Sequence, residues 1–238
     1  MLIYFLRDYV IGVSGRREAD MVELYVIHTA FLDDEEIFKK RLNRVGAERR
    51  KKVLRYRTKE DKKRSLAAGL LLEHVLMERG YDPNLIEINE KGKPYLRDTE
   101  DFYFSISHSG EYAVCAVSNA PVGVDIQKSQ ETKQNIARRF FQIQEAEIIE
   151  RQPEHKRQNM FFRYWTGKES YLKLTGDGLT KGMNYFLVDL KQEMIVDPTG
   201  EYEKIYLKEY RCLENYYITV SSCSEKFASF VKRIYYRL

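Results

Sequence analysis

Cysteine is scarce in this chain: three residues in 238, at Cys115, Cys212 and Cys223. They are too few and too scattered for a disulfide framework, and none stands at the short spacing of a paired metal site. A reducing cytosol is therefore the expected setting. Long apolar runs are missing too, since no stretch approaches the ~18 residues that a membrane span requires. The opening MLIYFLRDYVIGV is apolar, but Arg7 and Asp8 interrupt it and no small-residue cleavage site follows, so a signal peptide is not expected. Histidine occurs four times, and His28, His74 and His155 fall in no partner pattern. HExxH, GxSxG, GxGxxG and the P-loop are all absent. GKESY at 167–171 lacks the glycine-rich lead that a P-loop needs to cradle phosphate.

What is present reads as a globular chain, 43% apolar and 32% charged, long enough for one large domain or two small ones. The net charge of +4 is modest but unevenly spread. Arg44, Arg49, Arg50, Lys51, Lys52, Arg55, Arg57, Lys59, Lys62, Lys63 and Arg64 face only Glu48, Glu60 and Asp61 in the same segment. Such a segment is either a solvated helical face or a surface for phosphate or an acidic partner.

Along the chain, VELYVIHTA (22–30) reads as a strand, preceded by an N-terminal extension, 1–20, of unassigned role. Asp33–Asn43 and Gly46–Tyr56 read as short helices. A longer helix, Thr58–Arg79, is apolar nearly all round at LAAGLLL, which marks a central, buried element. NLIEINEKGKPYL is a strand running into a Gly-Lys-Pro turn. FYFSISHSG, YAVCAVSNAP and VGVDIQ are strand-like runs split by turn signals. Helices are then expected over 133–151 and 157–175, with Gly176 and Gly178 capping the second. NYFLVDL, EYEKIYLKEY, YYITVSS and ASFVKRIYY follow as strands. Helix-then-sheet thus occurs twice, with a seam near Ser118–Pro121. The expected fold is α+β, in two similar halves, 21–119 and 120–238.

Three stretches carry groups for chemistry. On a strand over PVGVDIQ (121–127), Val122, Val124 and Ile126 face one way, and Gly123, Asp125 and Gln127 the other. Two oxygen-bearing side chains then flank a glycine that blocks nothing, which suits a hard cation; an exposed edge-strand Asp is the bland alternative. On the helix over 157–175, Phe162, Trp165, Glu169, Leu172 and Lys173 share one arc of about 100°. An ionised Glu in an aromatic arc is costly to bury unless paired or metal-bound. Either Glu169 and Lys173 form a surface pair four residues apart, or both project into a cleft. In SISHSG (105–110), His108 stands among serines and is either structural or a phosphate or metal partner.

Taken together, KGKPYL (91–96), FSISHSG (104–110), PVGVDIQ (121–127), ARRFF (137–141) and YWTGKESYLKLTGDGL (164–179) resemble the 4′-phosphopantetheinyl transferase superfamily, most closely its larger, surfactin-synthetase-activating type. The resemblance runs in order from about Glu23 to Val188. It implies two α/β halves related by a pseudo-twofold, with coenzyme A and Mg²⁺ (Mn²⁺ the alternative) in the cleft between them. The family's metal ligands fall on Asp125 and Glu169, and a third, acidic position falls on Gln127, which brings an oxygen but no charge. Coenzyme A would be bound by Arg49, Lys52, Arg64, Ser65, Lys93, Ser107, His108, Lys168 and Lys173.

The implied reaction is a Mg-dependent transfer of the 4′-phosphopantetheine arm to a serine of an apo acyl or peptidyl carrier protein, releasing adenosine 3′,5′-bisphosphate. Glu169, Lys173 and Asp125 would be the catalytic residues. The implied setting is a cytoplasmic monomer whose partner is an acidic carrier, with neither nucleic acid nor membrane as a partner. The alternatives are a catalytically weak homologue, impaired at Gln127, a noncatalytic basic binding module, and a metal-dependent nuclease. The last would need its acids and lysine on strands.

Overall fold

The computed structural model describes residues 5–6, 9–10, 21–131, 136–178, 182–199 and 201–236. Strands β1 (Phe5–Leu6) and β2 (Tyr9–Val10) pair with each other. The remainder of the expected 1–20 extension lies outside the described residues.

A first run of elements comprises β3 (Val22–His28), α1 (Glu35–Leu42), α2 (Ala47–Arg55), α3 (Lys59–Glu78), β4 (Ile86–Ile88), β5 (Pro94–Leu96), β6 (Tyr103–Ser109) and β7 (Tyr112–Ser118). A second comprises β8 (Val122–Lys128), α4 (Ile136–Phe140), α5 (Ile143–Glu150), α6 (Glu154–Thr175), β9 (Leu187–Asp189), β10 (Met194–Val196), β11 (Ile205–Tyr210) and β12 (Tyr216–Ser222), followed by β13 (Phe227–Ile234).

The fold is α+β. Of the two larger sheets, one has the order β13-β3-β7-β6 and the other β8-β12-β11-β10-β9, while β4 and β5 pair with each other. In each, the opening strand of a run pairs antiparallel with its closing strand, which pairs in turn with the strand before it. The two sheets therefore repeat one connectivity. β13 returns to the first sheet, where it lies parallel to β3.

Period-two patterning sorts the side chains between layers. Tyr25, Ile27, Ala113, Cys115 and Val117 pack with the apolar side chains of α3. The opposite face of the same strands, with Val22, Leu24, Val26, Val114 and Ala116, meets Val122, Val124, Ile126, Ile218 and Val220 of the second sheet. The far face of that sheet carries a third core, with α5 and α6. Helix α3 is apolar nearly all round because it lies between α2 and the first sheet. Its start is set by Thr58, whose hydroxyl accepts from the Asp61 N–H.

Three elements differ from expectation. The helix expected over 133–151 is split within the described residues, α4 ending at Phe140 and α5 restarting behind a capping box of Gln142 and Glu145. Helix α6 starts at Glu154, directly after Pro153, because proline's fixed φ and missing N–H are tolerated at a helix entrance. The short strand β10 has no counterpart among the expected elements.

Candidate active site

Strands β6 and β8 lie side by side and are joined by side chains. Ser105 Oγ accepts from Val124 N at 3.1 Å, Ser107 Oγ from Ile126 N at 3.4 Å, and Ser109 Oγ from Lys128 N at 3.0 Å. The alternate serines of SISHS thus satisfy alternate backbone donors of VGVDIQK, so the edge of one sheet is stitched to the edge of the other. Helix α6 crosses the outer face of β8 at very close range. A Cβ at Gly123 would fall 1.9 Å from Ser170 O and 2.5 Å from Leu174 N. The glycine of GVD is therefore required by the backbone of α6 rather than by a ligand.

That approach brings Glu169 and Lys173 to Asp125, which is buried. Lys173 Nζ donates to Asp125 Oδ1 at 2.6 Å and to Ser107 Oγ at 2.7 Å, while Ser107 Oγ donates to Asp125 Oδ1 at 2.8 Å. Lys173 consequently pairs with Asp125 across the junction of the two sheets, and not with Glu169 on its own helix. Burial pushes the Glu169 carboxyl up to about 7; the Asp125 charge adds to the rise and Lys173 opposes it. No hydrogen-bond donor among the described residues reaches that carboxyl. Gln127, expected as a third ligand position, donates its amide to Asp125 Oδ2 at 3.1 Å.

Two carboxylates with one lysine between them leave negative charge uncompensated in a partly buried cleft, and the groups beside that lysine offer oxygen. This set fits a hard divalent cation that retains water. Among the described residues no three His, Cys, Asp or Glu side chains converge, so such a cation would have two carboxylates and otherwise neutral oxygens.

The basic groups gather beside this pair. His108, on the face of β6 opposite the serines, lies edge-on to Tyr56 with ring centroids 6.5 Å apart. Burial, then the charges of Lys173, Arg64 and Lys52, lower its imidazole to about 4. Lys52 is itself lowered by burial and by the charges of Arg49 and Lys173. Arg64 pairs with Asp61 and donates to Gly110 O at 3.2 Å. Ser65 is fully buried, and its hydroxyl has no hydrogen-bond partner among the described residues. Lys93 reaches the end of α6, donating to Leu174 O at 2.6 Å, and burial lowers its ammonium to about 8.

Lys168 departs from expectation. It is fully buried, and its ammonium donates at 2.8 Å each to Met183 O, Phe186 O and Glu145 Oε2. With three donors used inside the third core, its ammonium has no N–H left to offer a phosphate. Glu145 is equally buried and also accepts from Val188 N at 2.7 Å.

Glu73 was missed in the sequence. It stands in α3 one turn beyond Gly69 and opposes the charge of Arg49; burial raises it to about 7. Its one sequence signal is a lone acid within an apolar helical run.

A separate cavity of about 330 Å³, lined by Asn159, Arg163, Glu209 and Tyr217 among others, holds none of the expected site residues. No described helix is long and apolar enough to cross a membrane.

Comparison with known proteins converges on one family. The profile of the 4′-phosphopantetheinyl transferase superfamily matches residues 121–225, and that of the 4′-phosphopantetheinyl transferase N-terminal region matches residues 33–120. A 4′-phosphopantetheinyl transferase of Bacillus subtilis is 34% identical over 189 residues, 77% of this chain and 84% of that protein. The 4′-phosphopantetheinyl transferase gsp of Aneurinibacillus migulanus is 33% identical over 202 residues, 81% of this chain and 84% of its own length. The 4′-phosphopantetheinyl transferase Sfp of Bacillus subtilis (strain 168) is 30% identical over 198 residues, covering 81% and 88%.

Proposed function

The chain belongs to the 4′-phosphopantetheinyl transferase superfamily, and from that membership we propose that its cleft moves the 4′-phosphopantetheine arm of coenzyme A onto a serine of an apo acyl or peptidyl carrier protein. The cleft would lie between halves 21–119 and 120–238. Arg49, Lys52, Arg64 and His108 bind the 3′-phosphate and pyrophosphate, a polyanion that relieves the crowding of the cations among them. Ser65 offers a hydroxyl that lacks a partner among the described residues. Lys93 binds a phosphate oxygen in exchange for the Leu174 carbonyl.

The carrier serine attacks the β-phosphorus in line with the leaving group. Its Oγ–P bond forms as the P–O bond to adenosine 3′,5′-bisphosphate breaks. Glu169 takes the serine proton on its carboxylate. Lys173 neutralises the charge that develops on the leaving phosphate oxygen, using the N–H that Asp125 and Ser107 do not occupy. Asp125 and Glu169 are the residues that would hold Mg²⁺, or Mn²⁺ in its place, with Gln127 or water beside them; bound there, the ion neutralises charge and polarises the phosphorus.

The observation that carries this assignment is the convergence of Asp125, Glu169 and Lys173, remote in sequence, beside four basic groups. The chain's positive charge suits an acidic carrier as partner. All the groups lie on one polypeptide, so a monomer suffices, and the free cysteines suit the cytoplasm.

Incubation of an apo-carrier with coenzyme A, Mg²⁺ and the protein should add the mass of the phosphopantetheine arm to the carrier, read by intact-mass spectrometry. Glu169→Gln and Asp125→Ala should each lower the rate by at least ~10³-fold, as loss of a key electrostatic group does. Near-wild-type rates in both variants would defeat the assignment.

A further inference from the structure

Helix α3 contains a glycine where helix stability argues against one. Gly69 lies in the middle of twenty helical residues, fully inside an apolar stretch where alanine would be the more stable choice. Its backbone is helical and needs no special conformation. What occupies the space of the missing side chain is Arg49, from α2. A Cβ at Gly69 would lie 2.8 Å from Arg49 Cδ, 2.8 Å from Nε and 3.0 Å from Cγ. The Arg49 stem therefore crosses α3 directly over this residue.

Glu73 follows one turn later on the same face of α3 and sets its charge against Arg49. It also receives the N–H of Gly46, the entrance of α2, which has no side-chain cap of its own. Arg49 is thus held by a slot and a counter-charge.

We infer that Gly69 and Glu73 are positioning residues that aim Arg49 at the phosphates of coenzyme A, Gly69 by leaving room for its stem and Glu73 by orienting its guanidinium. This rests on Arg49 being a phosphate-binding group, as proposed above. The contact is with a flexible side chain, so an added methyl displaces Arg49 rather than the helix backbone. Gly69→Ala should therefore separate binding from stability, two properties that a purely structural glycine would lose together.

The test is calorimetric titration of the full-length protein with coenzyme A, alongside its melting temperature. Gly69→Ala should melt at or above the wild-type temperature, yet bind coenzyme A at least ~10-fold more weakly, near the lower end of the range for one charge-assisted hydrogen bond. Glu73→Gln should weaken binding in the same direction. In an Arg49→Ala background, neither change should weaken binding further, whereas in a Lys52→Ala background Gly69→Ala should retain its full effect. Wild-type affinity in Gly69→Ala and Glu73→Gln, with Arg49→Ala weakened, would overturn the positioning role alone. Wild-type affinity in Arg49→Ala would instead overturn the assignment of Arg49 on which that role depends.

Discussion

Burial and three neighbouring cations act on one imidazole at His108, and the result is a ring that stays neutral well below the usual histidine range. Burial is the largest cause, with Lys173, Arg64 and Lys52 adding to it, and the pKa falls from 6.5 to about 4. An unfolded chain would take up the proton near 6.5, so between pH 6.5 and 4 the unfolded state binds more protons than the folded one. Stability must then fall as pH drops through that window, by on the order of 3 kcal/mol for a shift of this size. Urea unfolding across the same window should show this loss in the wild type and a flatter profile in His108→Gln. Equal slopes in the two proteins would remove His108 from the account. The same residue-scale view explains Lys168. Neighbours on a helix point about 100° apart, so the backbone that turns Glu169 toward Asp125 turns Lys168 into the third core. Adjacency in the KES triplet did not predict a shared site.

Elements meet here through absent side chains and short ones. Gly123 lets α6 touch β8 backbone to backbone, and Ser105, Ser107 and Ser109 replace the ladder that β6 and β8 do not share. The atoms facing Gly123 are backbone atoms that cannot swing aside, unlike the arginine over Gly69. Gly123→Ala should therefore push α6 off β8, cost ~3 kcal/mol or more through overpacking, and separate Lys173 from Asp125. The readouts are a lowered melting temperature together with lost transfer activity. A variant as stable as wild type would show that α6 can shift without cost. Sequence patterning had placed Asp125 on the right face of its strand, opposite Val122, Val124 and Ile126. It assigned the glycine to ligand access, because the close partner lies in another element far along the chain.

For the molecule as a whole, an excess of four positive charges matters less than where they stand. Arg49, Lys52, Arg64, His108 and Lys173 come from α2, α3, β6 and α6, and meet at the junction of the two sheets. Coenzyme A binding should accordingly weaken as salt rises. Reversing Arg49 and Lys52 together to Glu should weaken it further and flatten that salt dependence, measured by titration across ionic strengths. An unchanged affinity in the double variant would place the cofactor elsewhere.

Local pattern by itself determined much of this protein. Period-two and period-3.6 repeats marked most strands and the two long helices, and the resemblance carried by five ordered motifs implied Asp125, Glu169, Lys173 and the basic residues as one set. Those features are legible because they depend on neighbours in sequence. Tertiary structure alone decided the partners: Lys173 with Asp125 instead of Glu169, Lys168 with Glu145, Arg49 across Gly69 toward Glu73, and β13 beside β3. Each of these depends on which surfaces of distant segments come together, and hydrophobic burial fixes that only once both sheets and their helices are packed.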